Sequence, residues 1–160
     1  MVFCMSSVVK SAFAFGALTL GAVALSGRSF SAPNEWYTNL DKPRWNPPSK
    51  VFGPVWTTLY GLMSLSAARV YAAPKSLARR RALALWSGQL ALNALWSPTF
   101  FARHDLRGSL VNVLGQDALL VGYTATAARV DKRAAWLIAP LVGWVGFATL
   151  LNANIARRNV

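Results

Sequence analysis

Three sets of residues in this 160-residue chain have the spacing to build one flat, apolar binding site. Trp56, Tyr60 and Met63 stand at i, i+4 and i+7, as do Gln89, Asn93 and Trp96, and again Trp144, Ala148 and Leu151. On a helix each set shares a face within about 40°. Together they offer aromatic planes, small residues that leave room between them, and the amides of Gln89 and Asn93. That chemistry stacks a planar hydrophobic ligand and orients it with a few hydrogen bonds. A tryptophan in an apolar helix also serves as a belt residue at a membrane surface. Trp86 and Trp136, at predicted helix starts, are assigned that role, and the deeper Trp56, Trp96 and Trp144 are assigned to the site.

Reaction chemistry finds little support. No Ser/His/Asp or Cys/His arrangement, phosphate loop or pair of carboxylates is present. His104 has only Asp105 beside it, and a single cysteine, Cys4, allows neither an internal disulfide nor a thiolate cluster, so no metal site is expected. Asp117 is the one acid well inside an apolar segment and should pair with Gln89, Tyr123 or a backbone group. With no second carboxylate at that depth, it has no partner for a proton relay.

The elements that must carry these residues follow from composition. More than half of the chain is apolar, and only five residues are acidic. Five segments, approximately 11–27, 51–71, 82–102, 108–128 and 134–156, approach the 20 or so apolar residues that cross a bilayer. Backbone groups must be satisfied internally in lipid, so the fold class is an all-α integral membrane bundle of five transmembrane helices in one domain. The formal charge of +12 sits beside the spans, which argues for membrane flanks and against nucleic acid. The seventeen cations divide nine to eight between the two ends, so the charge rule does not orient the chain. Lys10, the following apolar run and residues 29–32 also fit a cleaved signal. The length of the run favours a retained span, and no Arg/Ser-rich transit leader precedes it.

Between the first two spans, Pro33, Pro43, Pro47 and Pro48 forbid a continuous helix, and the connection is read as a folded lid with Trp36, Lys42, Arg44 and Trp45 as its candidate contacts. Asn46 or Ser49 could cap the helix that follows. Residues 73–81, 103–107 and 129–133 are read as turns, which makes sequence neighbours antiparallel. The pairs Ala12/Gly16, Ala17/Gly21 and Ser64/Ala68 suit close helix contact within the chain or in a homodimer.

The lid sequence Trp36-Tyr37-Thr38-Asn39-Leu40-Asp41-Lys42-Pro43-Arg44-Trp45-Asn46-Pro47-Pro48, running on to Phe52-Gly53-Pro54-Val55-Trp56-Thr57-Thr58-Leu59-Tyr60, resembles the signature of the TspO/MBR family. The runs from Gln89 through Asn93 and Trp96 to Phe101, and from Pro140 through Trp144 and Ala148 to Asn152, are similar to that family's patterns at matching spacing. The resemblance implies a five-helix, commonly dimeric membrane protein that binds porphyrins, which are ligands here and not required cofactors. By position it places ligand contacts on Trp56, Asn93, Trp144 and Ala148, and a light-dependent role in porphyrin breakdown on Trp144. Leu141 replaces a tyrosine common in the family, and Val113 a tryptophan of animal members. No tyrosine lies between Leu151 and Arg157, which leaves sterol binding without its motif. The first reading is therefore a tetrapyrrole receptor, sensor or transporter. Light- and oxygen-dependent porphyrin degradation with Trp144 as catalytic residue stays open, as does a structural, partner-binding role. A bacterial envelope membrane and an organelle membrane such as the mitochondrial outer membrane fit equally.

Overall fold

The computed structural model describes the backbone of residues 2–27 and 35–160 and the side chains of residues 8–24 and 35–160. The candidate cleavage run at 29–32 lies outside the described residues. Six α-helices occur: α1 (Val2–Gly27), α2 (Glu35–Asn39), α3 (Ser49–Ala72), α4 (Leu77–Ser97), α5 (Leu106–Ala128) and α6 (Lys132–Asn159). A single π-helical turn, Pro98–Ala102, continues α4. The five long helices cover the five segments read as spans, and no described residue is in a strand. The chain is an all-helical membrane protein.

Their outer faces explain the class. Phe13, Leu18 and Leu20 on α1, Val111, Leu114 and Val121 on α5, and Trp136 and Leu150 on α6 are all exposed. An apolar exterior on several sides of one bundle suits lipid better than water. Among the described residues, only α6 is by itself long and apolar enough to be read as a span, with Val8–Ala24 a shorter apolar helix. The middle helices carry Arg79, Arg80 and Arg81 at the start of α4 and the polar residues Ser64, Ser66, Gln89, Ser109 and Gln116 buried inside the bundle.

The helices close into a ring in the order α1, α3, α6, α5, α4 and back to α1. Short connections had suggested that α3 and α4 would be main neighbours. Instead α1 packs against both of them. Thr19 of α1 meets Ser64 of α3 at 3.0 Å. The closest seam, α4 against α5, uses Gly88 and Gly115: a Cβ there would meet Leu119 Cδ1 at 3.2 Å and Leu92 Cδ1 at 3.1 Å. At the end opposite the lid, Ser66 Oγ donates to the Ala134 carbonyl at 2.7 Å and lies 2.7 Å from the Tyr123 hydroxyl, joining α3, α5 and α6. Arg69 and Asp131 form an ion pair at 2.8 Å nearby.

Several helix starts differ from expectation. Helix α4 begins at Leu77 because Ser76, in extended backbone, accepts the Arg79 N–H, so Arg79, Arg80 and Arg81 are helical and the turn is shorter than 73–81. Asp105 and Asp131 cap α5 and α6 in the same way. Neither Asn46 nor Ser49 caps α3, whose N-cap is Pro48 without a side-chain bond. Asn46 instead donates to the Pro47 carbonyl. Trp86 is not a belt residue: the earlier start of α4 carries it inward, where it is 2 % exposed and its indole N–H donates to the Met63 carbonyl at 3.2 Å. Trp136, 78 % exposed, keeps the surface position assigned to it.

Candidate functional site

Two apolar clusters divide the interior. The larger holds Met63, Trp86, Tyr123 and Ile138. The smaller, under the lid, holds Phe100, Leu106, Leu151, Ile155 and Ala156, with Trp36, Tyr37 and Phe147 packed on it. Trp96 packs against both clusters, and Trp56, Tyr60 and Trp144 pack against the larger.

Each aromatic there is held by another. Trp56 stacks on Tyr60 with ring centres 5.2 Å apart. Trp96 stacks on Phe100 at 4.9 Å and stands edge-on to Phe101. Phe100 and Phe101 are consecutive, yet both face Tyr37 of α2, a placement that goes with the wider π-helical turn. Trp144 meets Phe52 of α3 at 5.9 Å and Phe147 at 5.5 Å. Ala148 is half-buried one turn after Trp144, and Leu151 is buried beyond it.

A polar chain crosses these aromatics. The Tyr60 hydroxyl donates to Asn93 Oδ1 at 2.9 Å, Asn93 Nδ2 donates to Gln116 Oε1 at 3.3 Å, and Gln116 Nε2 donates to Asn112 Oδ1 at 3.0 Å. It links α3, α4 and α5 and orients the Asn93 amide. Gln89 lies one turn farther from the lid, wholly buried. Its Nε2 sits 2.6 Å from Met63 Sδ, and its Oε1 has no donor. Asp117 accepts a hydrogen bond from Thr149 of α6 at 2.7 Å rather than from Gln89 or Tyr123. Asn152 is spent on Ser109, holding α5 to α6 at 3.3 Å.

The indole N–H groups of Trp96 and Trp144 are both buried, and neither has a hydrogen-bond acceptor among the described residues. A buried donor without a partner costs about 1–3 kcal/mol, so native structures rarely keep one. This site keeps two.

The lid covers the smaller cluster. Trp36 stacks on His104 at 4.1 Å and stands edge-on to Phe100, while Trp45 meets Phe147 at 5.7 Å. His104 reaches that stack from a left-handed backbone, φ 55°. Lys42, expected among the lid's ligand-facing cations, turns back onto the lid itself. Its ammonium donates to the carbonyls of Tyr37, Thr38 and Leu40 at 2.6–3.0 Å and lies over the Tyr37 ring. It closes the end of α2. Arg44 is exposed. Burial raises the Tyr37 phenol above its ordinary value, with a weaker opposing effect from the Asn46 contact. The far end of the lid is pinned to α6: the Asp41 N–H donates to Asn159 Oδ1, Asn159 Nδ2 returns a bond to the Asp41 carbonyl, both at 3.0 Å, and Arg158 pairs with the Asp41 carboxylate at 3.3 Å.

The sequence profile of the TspO/MBR family matches residues 12–158, nearly the whole chain and every long helix. The chain belongs to the TspO/MBR family. Its relatives include a tryptophan-rich sensory protein of Cereibacter sphaeroides, 40 % identical over 139 residues that cover 87 % of this chain and 85 % of that protein. Protein CrtK of Rhodobacter capsulatus is 37 % identical over 151 residues, 92 % of each chain. The human translocator protein is 36 % identical over 126 residues, 78 % of this chain and 75 % of its own. Within this TspO/MBR chain, Gln116 and Asn112 are the site residues that sequence reasoning missed. Two amides four residues apart inside a predicted span were the available signal.

Proposed function

We propose that this protein is a membrane receptor, acting in sensing or transport, that takes a flat tetrapyrrole such as a porphyrin into the region below the lid. The observation that carries the reading is the pair of buried indole donors, Trp96 Nε1 and Trp144 Nε1, left without acceptors among stacked aromatic rings. A planar apolar ligand bearing carboxylate or carbonyl oxygens supplies what they lack: ring surface for Trp56, Trp96 and Trp144, and acceptors for the N–H groups. The chain from Tyr60 through Asn93 to Gln116 fixes the Asn93 amide as an orienting group, and Arg44, exposed on the lid, is a cation available to a carboxylate that reaches solvent. The names of the relatives, sensory and translocator, agree with recognition as the activity.

The test is a titration of the purified, detergent-solubilised protein with protoporphyrin IX in the dark, following tryptophan fluorescence. Wild type is compared with the double variant Asn93→Ala, Trp144→Phe, each checked for retained helicity. Saturable quenching at micromolar ligand, clearly weakened in the double variant, is the expected result. Quenching that is linear, or equal in both proteins, would mean partitioning into detergent and would end this reading.

A further inference from the structure

At the end of the bundle away from the lid, a surface groove of about 450 Å³ runs between α3 and α6. Leu62, Leu65 and Pro140 line its inner part, and Arg69, Arg133 and Trp136 its outer part. The two walls match in register. Arg69 lies seven residues after Leu62 on α3, and Arg133 seven residues before Pro140 on α6, so on each helix the cation sits about 10 Å from the apolar end. The groove is therefore polarised along the bundle axis, with charge at the membrane surface and hydrocarbon towards the midplane.

Three observations bear on its occupant. Arg69 gives its Nη2 to Asp131 at 2.8 Å, but its Nε is buried and has no acceptor among the described residues. Arg133 is exposed beside it, and Asp131, whose Oδ1 caps the Arg133 N–H and whose Oδ2 holds Arg69, leaves one guanidinium charge uncompensated. Trp136, 78 % exposed one turn inside α6, stands where an indole meets lipid headgroups. The surrounding turns add Arg129 and Lys132, both exposed.

We propose that this groove binds one anionic phospholipid, its phosphate held by Arg69 and Arg133 beside the Trp136 indole and one acyl chain lying along Leu62, Leu65 and Pro140. A basic pocket between membrane helices is built for such a headgroup. A soluble anion would meet the same two guanidinium groups but leave the apolar part of the groove unused. The site is separate from the region under the lid and does not depend on the reading given to it.

The experiment reconstitutes the full-length protein in phosphatidylcholine vesicles containing a fixed small fraction of either brominated phosphatidylglycerol or brominated phosphatidylcholine. The signal is the fluorescence contributed by Trp136, taken as wild type minus Trp136→Phe. Brominated phosphatidylglycerol is expected to enrich at Trp136 about fivefold over brominated phosphatidylcholine, the factor that one cation near an anionic headgroup supplies. Arg133→Gln should bring the two lipids towards parity, and because that side chain is exposed, the fold should survive. Excess inorganic phosphate should leave the preference intact. Equal quenching by the two lipids, or a preference that persists in Arg133→Gln, would overturn the proposal. Loss of the preference on adding phosphate would do the same by assigning the guanidinium groups to a free anion.

Discussion

Asn159→Ala tests whether the lid is held at its far end by the last turn of α6. The side chain makes two bonds to the Asp41 backbone, accepting from its N–H and donating to its carbonyl, both at 3.0 Å. Each is exposed, and a net worth near 1 kcal/mol per bond puts the loss at about 1–2 kcal/mol. That corresponds to a roughly 5–30-fold increase in the population with the lid lifted at Asp41. Alanine is the best helix former, so α6 itself should not weaken, although the Asn159 bond to the Ile155 carbonyl goes too. Arg158→Gln supplies the contrast. Its ion pair with Asp41 joins side chains 43 % and 62 % exposed, and such pairs are worth under about 1 kcal/mol. Hydrogen exchange read by mass spectrometry on the segment 36–46, with an α4 segment as reference, measures the opening directly. The expected order is Asn159→Ala fastest, Arg158→Gln slightly faster than wild type, and the α4 reference unchanged. If exchange in 36–46 is the same in Asn159→Ala as in wild type, the stack of Trp36 on His104 and the edge-on contact of Trp45 with Phe147 hold the lid alone, and the reasoning fails.

Other outcomes follow from burial and bonding. Ser66→Ala strands the buried Tyr123 hydroxyl and removes the link to the Ala134 carbonyl, and should cost about 1–3 kcal/mol in reversible unfolding, whereas removal of an isolated hydroxyl without partners would cost almost nothing. Trp86→Ala should cost about 3–5 kcal/mol, and the exposed Trp136→Ala less than about 0.5 kcal/mol in detergent; similar losses would contradict the burial difference. Tyr60→Phe should cost about 1 kcal/mol and weaken porphyrin binding more than Trp86→Phe does, because Asn93 loses the donor that fixes its amide. In alkali, the raised phenol of Tyr37 predicts that its contribution to lid closure is whole below its ordinary value of 10.0 and declines as the pH rises above it, since only the open form then releases the proton readily. Protection of 36–46 against exchange, corrected for the intrinsic rate, that stays flat across that range in wild type, or declines equally in Tyr37→Phe, would sink this assignment.

The three helical faces were readable because a period of 3.6 marks them wherever an aromatic or amide recurs, and two of them meet where the Tyr60 hydroxyl bonds Asn93. What stayed hidden depends on where one helix stands relative to another. Thr149 as the partner of Asp117 requires α5 and α6 to be adjacent at one height, which no spacing within a single helix reports. Trp86 was misplaced through a local error: three arginines in a row look like a turn, while the decisive residue was Ser76, whose cap starts the helix before them. Lys42 shows another limit. A lysine in a proline-rich loop looks like a free cation until the loop is folded, and here three carbonyls converge on it.

A ring of five helices has walls one helix thick. Tyr60, which orients the Asn93 amide, is followed on α3 by Gly61, which is exposed with open space beside its Cα. Trp144 is preceded on α6 by Gly143 in the same circumstances. Neighbouring residues on one backbone thus face the bundle interior and the hydrocarbon in turn, with no second layer to absorb a change on either side. If the proposed function holds, bilayer thickness, acyl-chain composition and lipid-facing substitutions act on the proposed site as directly as substitutions inside it, and ligand affinity becomes a property of protein and membrane together.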